Sequence, residues 1–178
     1  MLMRPHIRGF TMIELLIGIV VLAILLGLGA PSFMVWMQNA RIRNAADAVL
    51  NGMQLARTEA IRRNKPVEFA LSSGSGWSIN IVNPQASDPA NPIQKRTSTE
   101  GSSNVLVAAT PGGSYAVTFD AMGGPTGNAD GSLTITSLDF TSSVSTDAPR
   151  PLRIVVSLSG TIRLCDPNAP AGDTRRCT

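Results

Sequence analysis

The chain has 178 residues, 43% of them apolar and 15% charged, enough for one globular domain with an extension and too apolar for a disordered tail. Aromatic residues are only 4%, which leaves little material for a binding face of stacked rings. The formal charge is +3, but Arg4, Arg8 and the only histidine, His6, all fall in the first nine residues. Beyond residue 9 there is no histidine, which excludes His-dependent triads and His-based metal sites there.

From Leu15 to Met37 run 23 residues without a charge, and only Glu14 interrupts an apolar stretch that begins at Phe10. About 20 such residues span a bilayer as a helix. A secretory signal peptide would have a shorter apolar stretch followed by a small-residue cleavage site. The segment 10–38 therefore reads as a transmembrane helix. Arg4 and Arg8 hold its short N-terminal end on the cytoplasmic side, so everything after Gln38 faces outward. Glu14 admits two readings. It can sit solvated at headgroup depth, favoured by the helix dipole. Alternatively it answers a cationic partner, because an unpaired carboxylate inside an apolar helix costs about 2–3 kcal/mol. Cleavage between Gly9 and Phe10 would create an α-amino group one helical turn away, and neighbouring subunits could pair amine with carboxylate in a staggered fibre.

The run Arg8-Gly9-Phe10-Thr11-Met12-Ile13-Glu14-Leu15-Leu16 resembles the leader and cleavage motif of type IV pilins and type II secretion pseudopilins. The resemblance implies a leader at 1–9, cleavage after Gly9 by prepilin peptidase, N-methylation of Phe10, and an assembly role for Glu14. Pro31 is similar to the family's helix-kinking proline, and a proline there removes one backbone hydrogen bond.

Past the apolar segment, Ile42, Ala45, Ala46, Val49, Met53, Ala56 and Ala60 recur at three- and four-residue steps, with Arg41, Arg43, Asp47, Arg57 and Arg62 opposite. The segment 39–65 is thus an amphipathic continuation, ended by Asn64 and Pro66. One helix from Thr11 to Arg63 would be roughly 80 Å long. The run Leu55-Ala56-Arg57-Thr58-Glu59-Ala60-Ile61-Arg62-Arg63-Asn64-Lys65-Pro66-Val67, with Gly76-Trp77-Ser78-Ile79 downstream, resembles the GspH/FimT group, minor pilins of the FimT and FimU kind and the minor pseudopilin GspH. By their positions alone, the arginines in that run complement the helix dipole as a solvated basic end.

From residue 66 to 178, strand-like runs alternate with turn residues: Val67–Leu71, Trp77–Val82, Val105–Ala109, Tyr115–Phe119, Leu133–Thr136, Leu152–Leu158 and Thr161–Cys165. Ser159-Gly160 reads as a two-residue hairpin loop. The expected fold is α+β, a long N-terminal helix packed on a small antiparallel sheet or sandwich head, the pilin fold. Cys165 and Cys177 in an exported head read as a disulfide, because a metal site needs more ligands; free thiols are the alternative.

Charge along the head is uneven. Val67–Ala148 holds two basic and seven acidic residues, whereas the C-terminal part carries Arg150, Arg153, Arg163, Arg175 and Arg176 against Asp166 and Asp173. Arginine's planar fork suits phosphate, so this end is a candidate surface for double-stranded DNA. The resemblance to FimT-type pilins implies DNA uptake through a C-terminal Gly-Arg-x-Arg element. Here the corresponding run is Gly160-Thr161-Ile162-Arg163, with Thr161 in place of the first arginine, so the role falls on Arg163 with Arg175 and Arg176 as substitutes. Pairing with Asp166, Asp173 or a neighbouring subunit is the competing reading.

No nucleophile elbow, phosphate loop or spaced carboxylate pair is visible, so no enzyme, catalytic residue, metal or cofactor is expected. The reading is a minor type IV pilin that helps initiate or cap pilus assembly and contacts DNA in transformation. A tip DNA receptor and a type II secretion minor pseudopilin are the alternatives. Partners would be other minor and major pilins or pseudopilins, prepilin peptidase and the inner membrane, with the head in the periplasm before assembly and in the fibre or at its tip afterwards.

Overall fold

The computed structural model describes residues 10–88, 90–100, 102–144 and 150–177, with backbone alone at 28–31. The expected leader at 1–9, Gly9 included, lies outside the described residues. Helix α1 runs Met12–Arg63. Thr11 is its N-cap, extended in backbone, and its Oγ1 accepts from the Glu14 N–H at 3.3 Å. Satisfying an otherwise orphaned first-turn donor is what places the helix start there. At the other end Asn64 adopts the left-handed conformation (φ 53°), and its N–H bonds the Ala60 and Ile61 carbonyls. Asparagine tolerates that conformation, so the helix stops at Arg63, three residues before Pro66.

The two limbs of α1, Met12–Gly27 and Ser32–Arg63, lie 43° apart. Among the described residues no single helix is long and apolar enough to cross a membrane; the two limbs taken as a bent pair are, by length and composition. Side chains from Met12 to Leu26 are exposed. From Gln38 onward one face is covered, and all seven apolar residues of the sequence stripe are buried. Four of them are alanines, so the helix approaches the sheets closely.

Two antiparallel sheets receive that face. The first has the order β3-β2-β1-β5-β6, from β1 (Val67–Leu71), β2 (Trp77–Ile81), β3 (Gln94–Arg96), β5 (Ala116–Phe119) and β6 (Pro125–Thr126). The second has the order β4-β7-β8-β9, from β4 (Val105–Thr110), β7 (Ser137–Ser142), β8 (Leu152–Val156) and β9 (Ile162–Cys165). α1 packs on both, and one core runs from Ile42, Val49 and Met53 through Phe69, Trp77 and Phe119 to Leu138, Phe140 and Ile154.

Two expectations need correction. Leu133–Thr136 is not a strand. Its residues link the sheets: the Ile135 N–H donates to the Ala116 carbonyl of the first sheet, and the Thr136 carbonyl accepts from Val156 of the second. The strand follows at Ser137–Ser142, where only Leu138 and Phe140 are buried and serine, aspartate and threonine fill the open positions. Serine and aspartate are poor strand formers, and pairing with β4 and β8 on either side overrides that preference. The β8–β9 connection is likewise longer than Ser159-Gly160. Gly160 N–H donates to the Ser157 carbonyl and Ser157 N–H to the Thr161 carbonyl, both at 2.9 Å. With Gly160 at φ 76°, this is a three-residue turn closed by a left-handed glycine. β3 and β6 carry no alternation and were not expected.

Candidate assembly and anion-binding surfaces

The first surface is the open end of α1. Phe10 is 84% exposed, and Glu14 stands at the third helical position with no partner for its carboxylate among the described residues. Its backbone is fixed by the Thr11 cap, so the carboxylate points outward from an ordered turn. Around it Met12, Ile13, Leu15 and Leu16 offer an apolar surface that water does not tolerate at this extent in a monomer. Such a limb needs lipid or other apolar helices around it.

The second surface is the C-terminal end. Cys165 and Cys177 are joined, their Cα atoms 5.1 Å apart. The enclosed loop is folded back on β9: Asp166 N–H donates to the Arg175 carbonyl at 2.7 Å, and Arg176 N–H to Asp173 at 3.1 Å. The five arginines singled out from the sequence do not converge. Leu152, Ile154 and Val156 face the core, so Arg153 lies on the outer face of the second sheet. There it makes a two-pronged bond to Asp139 at 2.7 and 2.9 Å, which holds the guanidinium firmly charged. Arg163 stands opposite Val155 on that same outer face. Arg150 and Arg175 are on the helix side, lining a groove of about 780 Å³ together with Trp36, Asn39, Arg43 and Asp166. The Arg150 N–H donates to Asn39 Oδ1 at 2.9 Å, clipping the start of this segment to α1. Arg175 grips Asp173, and its guanidinium holds that carboxyl down at about 2. Arg176 lies exposed on the loop. The arrangement offers cations on two faces, one half neutralised by aspartates, rather than a single basic track.

A third site joins the elements internally, and sequence reasoning missed it. Arg57 Nε donates to the Gly123 carbonyl at 2.9 Å, 66 residues away. Gly123 (φ 81°) closes the turn after β5, and Gly160 (φ 76°) closes the turn after β8. A Cβ on Gly160 would fall 1.9 Å from the Gly123 carbonyl oxygen and 3.2 Å from Arg57 Nε. Helix and both sheets thus meet at one carbonyl. Seen linearly, Arg57 is an ordinary basic helix residue and Gly123 and Gly160 are turn glycines; only their convergence shows a clamp. Elsewhere Trp77 is buried against Gly52, and its Nε1 is a buried donor without a partner among the described residues.

A long helix with an uncovered apolar limb, laid over antiparallel sheets and finished by a disulfide loop, defines a pilin-type assembly subunit. The family described as type II transport protein GspH matches residues 45–160, and the prokaryotic N-terminal methylation motif matches residues 4–30. The chain belongs to the GspH family of minor type IV pilins and pseudopilins. Its fold is shared with the type IV minor pilin FimU of Pseudomonas aeruginosa, at 20% identity and a TM-score of 0.51 over 69% of this chain and 87% of that one. A second crystal form of FimU aligns at 18% identity and a TM-score of 0.47, over 68% and 90% of the two chains. No curated protein sequence matches the chain. Membership implies assembly with other pilins or pseudopilins and processing by prepilin peptidase at the leader motif, and it indicates a membrane-anchored structural subunit.

Proposed function

We propose that this chain is a minor type IV pilin, held in the inner membrane by a single helix with its head in the periplasm, that helps initiate or cap a pilus. The supporting observation is the division of α1: an apolar limb exposed from Met12 to Gly27 and a second limb with one face buried in the head from Gln38 onward. Within this reading the peptide bond between Gly9 and Phe10 is cleaved and Phe10 is N-methylated. Its new amine lies one turn from Glu14, so a neighbouring subunit's carboxylate can reach it. Pro31 is the source of the bend between the limbs, because a proline inside a helix removes a backbone hydrogen bond. Deleting the gene should sharply reduce surface pili and twitching. Normal piliation with blocked protein export would instead identify a type II secretion pseudopilin.

Contact with duplex DNA is the second reading, favoured by the exposure of Arg150, Arg163, Arg175 and Arg176. If it holds, the full chain in detergent binds duplex DNA with a steep salt dependence, and neutralising Arg163, Arg175 and Arg176 flattens that slope. Equal retention by the wild type and the triple variant at low salt rejects it.

A further inference from the structure

The groove between α1 and the C-terminal loop sits where the apolar limb gives way to the head. From Met12 to Trp36 the helix rises about 36 Å, against a hydrocarbon thickness of about 30 Å, and the 43° bend shortens its reach. Trp36, 65% exposed, therefore arrives at the head-side interface, the depth at which tryptophan is enriched in membrane proteins. Arg43 follows two turns later, within reach of the headgroup layer, and long cationic side chains bend back toward that layer. The Asn39 clip places Arg150 beside them.

The charges are not equivalent. Arg175 is committed to Asp173, and Arg43 meets Asp47 through one 3.7 Å contact, its side chain 73% exposed. Arg150 makes no side-chain ion pair among the described residues. Asp166 is the only acid among the residues lining the groove. The lining is therefore net cationic, and apolar at the Trp36 end.

We propose that this groove takes the phosphate headgroup of an anionic phospholipid from the leaflet on the head side, with Arg150 and Arg43 on the phosphate and Trp36 against the glycerol and upper acyl region. The proposal rests on the membrane-anchored reading above. It gives the subunit a defined seat before assembly: the head is held down at its C-terminal loop, so that a cationic and an apolar contact must both be released on extraction into a fibre. A lipid, rather than free phosphate, is favoured because the groove continues the apolar surface of the limb.

The test uses the full chain in nanodiscs of phosphatidylcholine with and without phosphatidylglycerol, followed by release into mild detergent and native mass spectrometry of retained lipid. Each interfacial arginine is worth a few-fold in anionic-lipid binding, so the Arg43→Gln/Arg150→Gln double variant should lose roughly tenfold or more of the phosphatidylglycerol preference. Lys95→Gln, on strand β3, should leave it unchanged. Equal retention of the two lipids by the wild type overturns the proposal. So does displacement of phosphatidylglycerol by millimolar inorganic phosphate, which would make this a soluble-anion site, or a second copy of the chain cross-linked into the groove in place of lipid. Unaltered lipid preference in the double variant, with an unchanged circular dichroism spectrum, overturns it as well. Carbonate extraction separates this from the underlying reading: a wild-type chain released by carbonate refutes the membrane anchor itself, whereas an anchored, pilus-competent chain without lipid preference refutes only the groove.

Discussion

Replacing Gly160 by alanine tests the three-element clamp. Its left-handed backbone costs an alanine about 1 kcal/mol or more relative to glycine. The new Cβ would stand 1.9 Å from the Gly123 carbonyl oxygen, a backbone atom that must retreat by more than an ångström to reach ordinary contact. That retreat breaks the Arg57–Gly123 hydrogen bond, a bond from a charged donor worth about 1.5–3 kcal/mol. Together these predict a loss of about 3–5 kcal/mol, a large part of the 5–15 kcal/mol that ordinary domains possess. The assay is urea unfolding of the full chain in detergent with the disulfide intact, followed by Trp77 emission in a Trp36→Phe background. Arg57→Ala alone should cost about 1.5–3 kcal/mol and add little when combined with Gly160→Ala, because both remove the same bond. Gly160→Asn separates the two terms: asparagine accepts the left-handed backbone but not the collision, so it should be nearly as damaging as alanine. A Gly160→Ala loss under 1 kcal/mol, or full additivity with Arg57→Ala, would show that the elements do not meet at this carbonyl.

Glu14→Ala should leave leader cleavage intact while incorporation into fibres, read by immunoblot of sheared pili, falls severalfold; efficient incorporation refutes the amine–carboxylate pairing. Gly52→Ala places a methyl 3.0 Å from the Phe69 and Trp77 rings and should destabilise by about 1–3 kcal/mol in the same unfolding assay. Asp173, held at about 2 in the folded chain by Arg175, is lowered from its unfolded value near 4, so its contribution is complete above pH 4 and lost as pH falls through 4 toward 2. Amide exchange in the Asp173–Cys177 loop should rise over that window and lose the dependence in Asp173→Asn. Glu68 goes the other way: burial first, then Asp130, raise its carboxyl, so ionisation at neutral pH opposes folding, and Glu68→Gln should raise Tm at pH 7 and leave it unchanged at pH 4.

Long, strongly periodic features were legible because their signal is local. The helix bounds, the buried stripe from Ile42 to Ala60 and the strands at Val67, Trp77, Val105, Leu152 and Ile162 all follow from spacing along the chain. The leader-like motif and Glu14 are equally local, since the enzyme that would read them meets the chain before assembly. The polar strands were not legible, because Gln94–Arg96 and Ser137–Ser142 owe their conformation to a neighbour already in place.

What the amino-acid sequence determined alone is therefore the stalk, its apolar limb, the two-cysteine loop and the broad class of the head. What only tertiary structure decided is how charge and glycine are used. Of five arginines that look like one basic end, four divide between two faces, because alternation on β8 and β9 sends Arg153 and Arg163 outward while the Asn39 clip and the disulfide loop bring Arg150 and Arg175 to the helix. Arg57, Gly123 and Gly160 become one joint only when sheets formed from distant segments close on the helix. Periodicity records which face of an element is buried; it carries no record of which distant turn will lie against it.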